Sequence, residues 1–188
     1  NAITVDSDTS TNDMVSIFST KKIKDAGINT ASSNELKKFE ESLKNVCLEL
    51  AKQIVVDGEG AQKFITVKVS NAKSLQKAKN IAFSIANSPL VKTAVAGEDP
   101  NWGRILMGIG KSGEKIDSKK LTIRLGELLV AEKGKISESY DEDKLKEYMK
   151  WNSIQINIDL NQGKDEYLCY TCDFTHDYIN INADYKRS

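Results

Sequence analysis

Ile154-Gln155-Ile156-Asn157-Ile158-Asp159-Leu160 alternates apolar and polar residues without a break. Period-2 alternation puts the isoleucines on one face of an extended chain and the polar residues on the other. Asn161-Gln162-Gly163-Lys164 reads as a turn. Tyr167 to Phe174 and then Tyr178 to Asn182 read as further strands. The C-terminal part is therefore expected to be a β-meander with one wet face.

Working back from this stretch, Leu145, Tyr148 and Met149 suggest a short helix. Leu121, Ile123 and Leu125 alternate again, and Leu128 to Ala131 extends or re-pairs that strand. Leu75, Ala78, Ile81, Ala82 and Ile85 recur at helical steps and end near Ser88-Pro89. Phe64 to Val69 alternates as a strand. The clearest helix opens where Ser32 is followed three residues on by Glu35, a capping box. It carries Leu36, Phe39, Leu43, Val46, Leu50 and Ile54 and stops at Gly58-Glu59-Gly60. Ser10 with Asp13 fits another helix start, ahead of Met14, Val15, Ile17 and Phe18. Ile3 to Val5 reads as a short β-segment. Helices early and strands late argue for an α+β fold, not the strict alternation of a doubly wound sheet. With no convincing linker, residues 3–188 are expected to be one domain. Asn1-Ala2 is set aside as a processed terminus or an expression scar.

The chain has 188 residues, 39% apolar and 29% charged, which excludes a collagen, a disordered tail and a disulfide miniprotein. No apolar run approaches the roughly 20 residues a membrane helix needs, and no signal peptide is visible. Its 27 basic and 27 acidic residues cancel, so no bulk positive field favours nucleic acid. Cys47, Cys169 and Cys172 make no disulfide framework, and a reducing cytoplasm is the expected compartment.

Several short motifs suggest chemistry. Gly108-Ile109-Gly110-Lys111-Ser112-Gly113 matches the dinucleotide pattern, but no amphipathic helix follows it, so it reads as a glycine-rich connection. Cys169 and Cys172 lie three apart in a strand, which turns them to opposite faces. With no second pair, no metal site is expected. His176, the single histidine, sits at an expected strand-to-strand bend and is not read as a base. Gly58-Glu59-Gly60 reads as a helix C-cap with Gly58 supplying the left-handed turn. Yet a carboxylate is disfavoured beside a helix C-terminus, and two glycines admit close approach of a ligand. Asp99-Pro100-Asn101-Trp102-Gly103-Arg104 reads equally as a tight turn and as a functional loop. Asn180-Ile181-Asn182-Ala183-Asp184-Tyr185 reads as a strand end with polar side chains on one face.

Taken in order, these segments resemble the ornithine acetyltransferases of arginine biosynthesis. Ile3-Thr4-Val5-Asp6-Ser7-Asp8-Thr9-Ser10-Thr11-Asn12-Asp13 is similar to that family's ITVDGDTSTND. Asp57-Gly58-Glu59-Gly60-Ala61 with Lys63-Phe64 is similar to DGEGATKF. Pro89 to Ala94 and Asp99 to Ile105 are similar to SPLVKTA and DPNWGRI. Thr171 to Thr175 and Ile181 to Tyr185 are similar to TCDLT and INADY.

The resemblance implies a layered α/β/β/α fold, shared with a family of self-processing aminopeptidases. It implies a bifunctional glutamate N-acetyltransferase and N-acetylglutamate synthase, cleaved from a precursor into α and β chains. The freed N-terminal threonine of the β chain would be the nucleophile in a ping-pong transfer from N-acetylornithine to glutamate. A Thr-Gly pair on the α chain would stabilise the oxyanion. The expected match is most of the β chain, without that nucleophile or oxyanion hole, so no catalytic residue is assigned to this chain. Alone it is expected to be inactive and to self-associate; in the parent it would form a hetero-oligomer with the α chain. Glu59 matches the family's substrate-binding glutamate and Asn182 its asparagine. Arg187 holds the position of the last contact, which leaves Ser188 as the hydroxyl there. Ser7 stands where the family has glycine, which matters if the backbone there has positive φ. No cofactor is implied, with acetyl-coenzyme A an open second donor. No nucleic acid or membrane partner is expected. The alternatives are a stand-alone α+β binding or scaffold domain and a related self-processing aminopeptidase.

Overall fold

The structure, a computed structural model, describes residues 1–9, 11–20, 22 and 34–184. In chain order the elements are α1 (Asn34–Val56), β1 (Phe64–Ala72), α2 (Leu75–Ala86), α3 (Pro89–Ala96), α4 (Trp102–Gly110), β2 (Thr122–Leu125), β3 (Leu128–Glu132), β4 (Lys135–Ile136), α5 (Glu142–Met149), β5 (Ser153–Asp159), β6 (Asp165–Cys172) and α6 (His176–Ala183). The expected α+β class holds. The six strands form one sheet in the order β4-β3-β2-β5-β1-β6.

β1 is the pivot. Ile65, Val67 and Val69 are fully buried on one face, in register with Ile154, Ile156 and Ile158 of the parallel neighbour β5. Ile123 and Leu125 of β2 extend the same apolar surface. α2 closes it with Ala78, Ile81, Ala82 and Ile85, all fully buried. Each isoleucine withdrawn from water in this way contributes about 1.5–3 kcal/mol. A smaller cluster lies on the opposite face: Val55, Tyr170 and Cys172 pack with Phe64, Leu48, Ile3 and Val5. Thus α1 meets the sheet near its C-terminal end, while Phe39, Val46 and Leu50 of its stripe stay exposed.

The expected β-meander is replaced by a different connection. β6 pairs with β1, not with β5. β5 and β1 run parallel and end together, with the Leu160 N–H donating to Ser70 O at 3.1 Å and the Gln162 N–H to Asn71 O at 2.8 Å. The chain then crosses the end of β1 and returns along its far edge. Gly163 makes this crossing: a β-carbon there would lie 2.0 Å from Ala72 O. Tyr178–Asn182 is helix, not strand, because Thr175 caps α6 by accepting the Asp177 N–H. His176 accordingly opens a helix and does not sit at a strand-to-strand bend. The outer edge of β6 is taken instead by the N-terminal segment, where the Thr4 N–H donates to Tyr170 O and the Tyr170 N–H to Ala2 O.

Residues 11–20 carry no helix, and Met14, Val15, Ile17 and Phe18 are exposed. An apolar stripe makes a stable helix where tertiary contacts bury it, and none is buried here. Ser10 and Ser32, the two expected cap residues, lie outside the described residues. Pro89 opens α3, where its missing N–H costs nothing.

Candidate functional site

The Glu59 turn follows from the way α1 ends. The Asp57 N–H still donates to Gln53 O at 2.9 Å, and the Gly58 N–H reaches Val55 O at 3.3 Å. The left-handed residue is Gly60, with φ 69°, and not Gly58 as expected. Gly58 serves packing: a β-carbon there would stand 3.1 Å from Cys172 Sγ and 3.3 Å from Val5 Cγ1. Gly60 needs both freedoms, because a β-carbon there would fall 2.5 Å from the Tyr178 nitrogen. The turn is therefore pressed backbone to backbone against the start of α6.

That contact brings two distant residues together. The Thr175 hydroxyl donates to Gly60 O at 2.7 Å, fixing the start of α6 to the turn. Toward the other end of α6, Asn182 Nδ2 donates to Glu59 Oε2 at 2.7 Å and to Tyr178 O at 2.9 Å. Glu59 and Asn182, two of the three substrate contacts that the resemblance implies, are hydrogen-bonded across 123 positions of sequence. Ser188, the third, lies outside the described residues.

The surroundings are acidic. Tyr178 OH donates to Asp6 Oδ2 at 3.1 Å, and the Asp8 N–H donates to Asp6 Oδ1 at 2.9 Å. Burial pushes the Tyr178 phenol above its ordinary range, and Asp6, Asp8 and Glu59 push it further in the same direction. Among the described residues Glu59 has no ion-pair partner, and its side chain is exposed. Behind this corner Phe174 stacks on Tyr178 with ring centroids 4.5 Å apart, and Lys92 Nζ stands 4.4 Å from the Phe174 centroid. Lys92 is held below the usual lysine range, first by burial, against the pull of Cys172, Asp173 and Asp6.

The other motifs make contacts that hold the fold. Gly108 and Gly110 lie in the last turn of α4, preceded by helix rather than strand. Ser84 Oγ donates to Gly108 O at 2.6 Å, and a β-carbon on Gly108 would meet Ile85 Cα at 3.3 Å, so this glycine sets the α2–α4 approach. Asn101 caps α4 by accepting the Arg104 N–H, and Arg104 Nη1 donates to Leu90 O. Cys169 and Cys172 fall in the two different apolar clusters, on opposite faces of β6 as their spacing requires. Burial holds the Cys169 thiol up to about 12. Among the described residues no group of His, Cys, Asp or Glu is arranged to hold a metal.

Fold and corner together define the class: an α+β domain in which a loop carboxylate and a helix amide meet beside a mixed sheet. The family model described as "ArgJ family" matches residues 1–187. Two proteins called "Arginine biosynthesis bifunctional protein ArgJ" are similar to the chain. That of Zymomonas mobilis is 48% identical over 184 residues, covering 98% of this chain and 45% of its own length. That of Brucella melitensis is 47% identical over 189 residues, covering 99% of this chain and 46% of its own. The crystal structure of the protein of that name from Bacillus halodurans superposes with a TM-score of 0.88 at 37% identity, over 98% of this chain and 86% of that one. The chain belongs to the ArgJ family. It spans about half the length of the curated relatives it matches.

Sequence reading singled out Glu59 through its two glycines and Asn182 through resemblance. It passed over Asp6, Tyr178 and Asp173, because single polar residues in a turn, a helix or a strand end carry no periodic signal.

Proposed function

We propose that this chain is the substrate-capturing part of a glutamate N-acetyltransferase that moves an acetyl group from N-acetylornithine to glutamate. The observation that carries the reading is the Asn182–Glu59 hydrogen bond, set in a corner that Asp6 and Asp8 make acidic. N-Acetylornithine presents a side-chain ammonium, and an exposed carboxylate with no cationic partner among the described residues is a natural partner for it. Asn182 fixes the Glu59 carboxylate in orientation, and Ser188 supplies a hydroxyl to the same ligand.

The remainder of the enzyme, an α chain and the start of the β chain, supplies the chemistry. A threonine there, with its free amine as base, takes the acetyl group as an ester and releases ornithine; glutamate then takes the acetyl group from the ester. The oxyanion hole also lies in that remainder. No cofactor is required, and acetyl-coenzyme A is a second acetyl donor in the bifunctional form of the reaction. The enzyme works in the cytoplasm as an α/β hetero-oligomer. Exposed Phe39, Val46 and Leu50 on α1 support a partner chain over a stand-alone domain, which would have no reason to leave that stripe uncovered. This chain alone transfers no acetyl group.

The test is Glu59→Gln in the complete enzyme. Loss of a charge-assisted contact worth about 1.5–3 kcal/mol lowers kcat/KM for N-acetylornithine about 10- to 150-fold. The effect is carried mainly by KM, self-cleavage persists, and the glutamate half-reaction suffers less because glutamate offers no side-chain cation. Unchanged kinetics with N-acetylornithine would return Glu59 to a solvated turn residue.

A further inference from the structure

Asp173 ends the β6 side of the corner and is 1% exposed. Its Oδ1 accepts two adjacent amides, the Gln62 N–H at 2.8 Å and the Lys63 N–H at 2.9 Å. Among the described residues its Oδ2 is buried with no hydrogen-bond partner. A buried carboxylate with one oxygen unsatisfied costs free energy, and a shape-matched neutral side chain would avoid that cost. The counter-charge is Lys92, whose ammonium donates to Thr171 Oγ1 at 2.7 Å and to Cys172 O on the residues just before Asp173.

Both halves of the Glu59–Asn182 pair depart from this point. Gln62 and Lys63 follow Glu59 directly after the turn, so one carboxylate oxygen fixes the orientation of two successive peptide planes there. Amide bonds to a charged oxygen are about twice as strong as neutral ones. Two residues beyond Asp173, Thr175 caps α6 and ties its start to Gly60 O. The helix then delivers Asn182.

The geometry points to Asp173, with Thr175, as a positioning residue for substrate capture: acting through the 58–63 turn and α6, the two hold Glu59 and Asn182 at a fixed separation without touching the substrate. The inference rests on Glu59 and Asn182 being substrate contacts. Displacing a binding group by about 1 Å costs on the order of 100-fold, so such residues control binding at a distance.

The experiment is steady-state kinetics of the complete, self-processed enzyme with N-acetylornithine as donor. Asp173→Ser removes the accepting carboxylate. It raises KM about tenfold or more while kcat stays within about threefold. Asp173→Asn keeps an oxygen for both amides and restores most of the loss. Thr175→Val and Thr175→Ser form a second, milder pair that serves if Asp173→Ser does not fold; valine raises KM and serine, which keeps the hydroxyl, does not. In a background that lacks both contacts, Glu59→Gln with Asn182→Ala, the Asp173→Ser and Thr175→Val penalties shrink to within about threefold, because they act through contacts already lost.

Penalties that multiply in that background, or conservative variants that rescue nothing, overturn the positioning role. If Glu59→Gln raises KM and the Asp173 and Thr175 variants leave it unchanged, this inference alone fails. If Glu59→Gln itself changes nothing, the substrate-contact reading fails and this one with it.

Discussion

Gly60→Ala tests the corner at its tightest point, with a control inside the same molecule. Gly60 and Gly113 share a positive φ, 69° and 77°. They differ in space: a β-carbon on Gly60 would lie 2.5 Å from Tyr178 N and 2.8 Å from Asp177 C, whereas one on Gly113 would meet nothing within 4 Å. The left-handed conformation costs an L-residue about 1–2 kcal/mol, common to both variants. Both also gain about 0.4–1 kcal/mol from a stiffer unfolded chain. What remains for Gly60 is steric. Its neighbours are backbone atoms of α6, which can move aside when the helix separates from the turn, and overpacking of this kind costs about 1–3 kcal/mol more. Urea unfolding followed by circular dichroism should therefore find Gly60→Ala less stable than Gly113→Ala by that margin. Separation of the helix also breaks the Asn182–Glu59 hydrogen bond, so in the complete enzyme Gly60→Ala should weaken N-acetylornithine binding and Gly113→Ala should not. Equal stabilities within about 0.5 kcal/mol would refute the claim that the turn and α6 are pressed backbone to backbone.

Strand content was legible wherever alternation and burial coincide. Ile154, Ile156 and Ile158 alternate because one face of β5 is core, and β1 follows the same rule; α2 obeys its helical counterpart, with Ala78, Ile81, Ala82 and Ile85 buried at three- and four-residue steps. Pairing was not legible, since alternation says which face is buried and nothing about which strand lies alongside. The choice between β5 and β1 as neighbour of β6 rests on Gly163 passing over Ala72. The α6 error has a different source. Ile179 and Ile181 alternate with asparagines, yet both are exposed, so that alternation reported no burial at all. The decisive local signal was the Thr175 cap, a short motif outweighed by a longer pattern. At the site, the flanking glycines drew attention to Glu59 but suggested the wrong left-handed residue. Close approach of a helix from far along the chain chose Gly60, and no local reading contains it. Lys92 resembles a solvated helix lysine in sequence; its burial is a property of β6 and Phe174 packed above it.

Ser7 is exposed with φ 79°, so Ser7→Gly should raise stability by about 0.5–1 kcal/mol, read from the urea midpoint at constant slope; a loss would mean that the serine side chain earns its place. Thiol titration with an aromatic disulfide at mild alkaline pH should find one fast thiol, exposed Cys47, and two that react on unfolding, Cys169 and Cys172, whose thiols burial keeps protonated. Lys92 sits below the ordinary lysine value of 10.5 when folded, so its desolvation penalty is complete below the folded value and is relieved as pH rises from there toward 10.5; wild type should gain stability relative to Lys92→Met over that interval, and parallel curves would contradict it. Self-association of the isolated chain is expected from α1 rather than from the Ile3–Val5 edge. That edge is half-buried and already paired with Tyr170, and the opposite edge is the two-residue β4, too short to template a partner strand. By contrast Phe39, Val46 and Leu50 are 54%, 56% and 42% exposed along one helix of 23 residues. A contiguous apolar surface beyond a few hundred Å² is unusual on a monomer, and two copies of one helix face bury each other most simply about a two-fold axis. Sedimentation at micromolar concentration should show a dimer, and Phe39→Glu with Val46→Lys should return it to monomer without loss of helix content. A wild-type monomer would refute α1 as the exposed docking face, because those three side chains would then be stable in water by themselves.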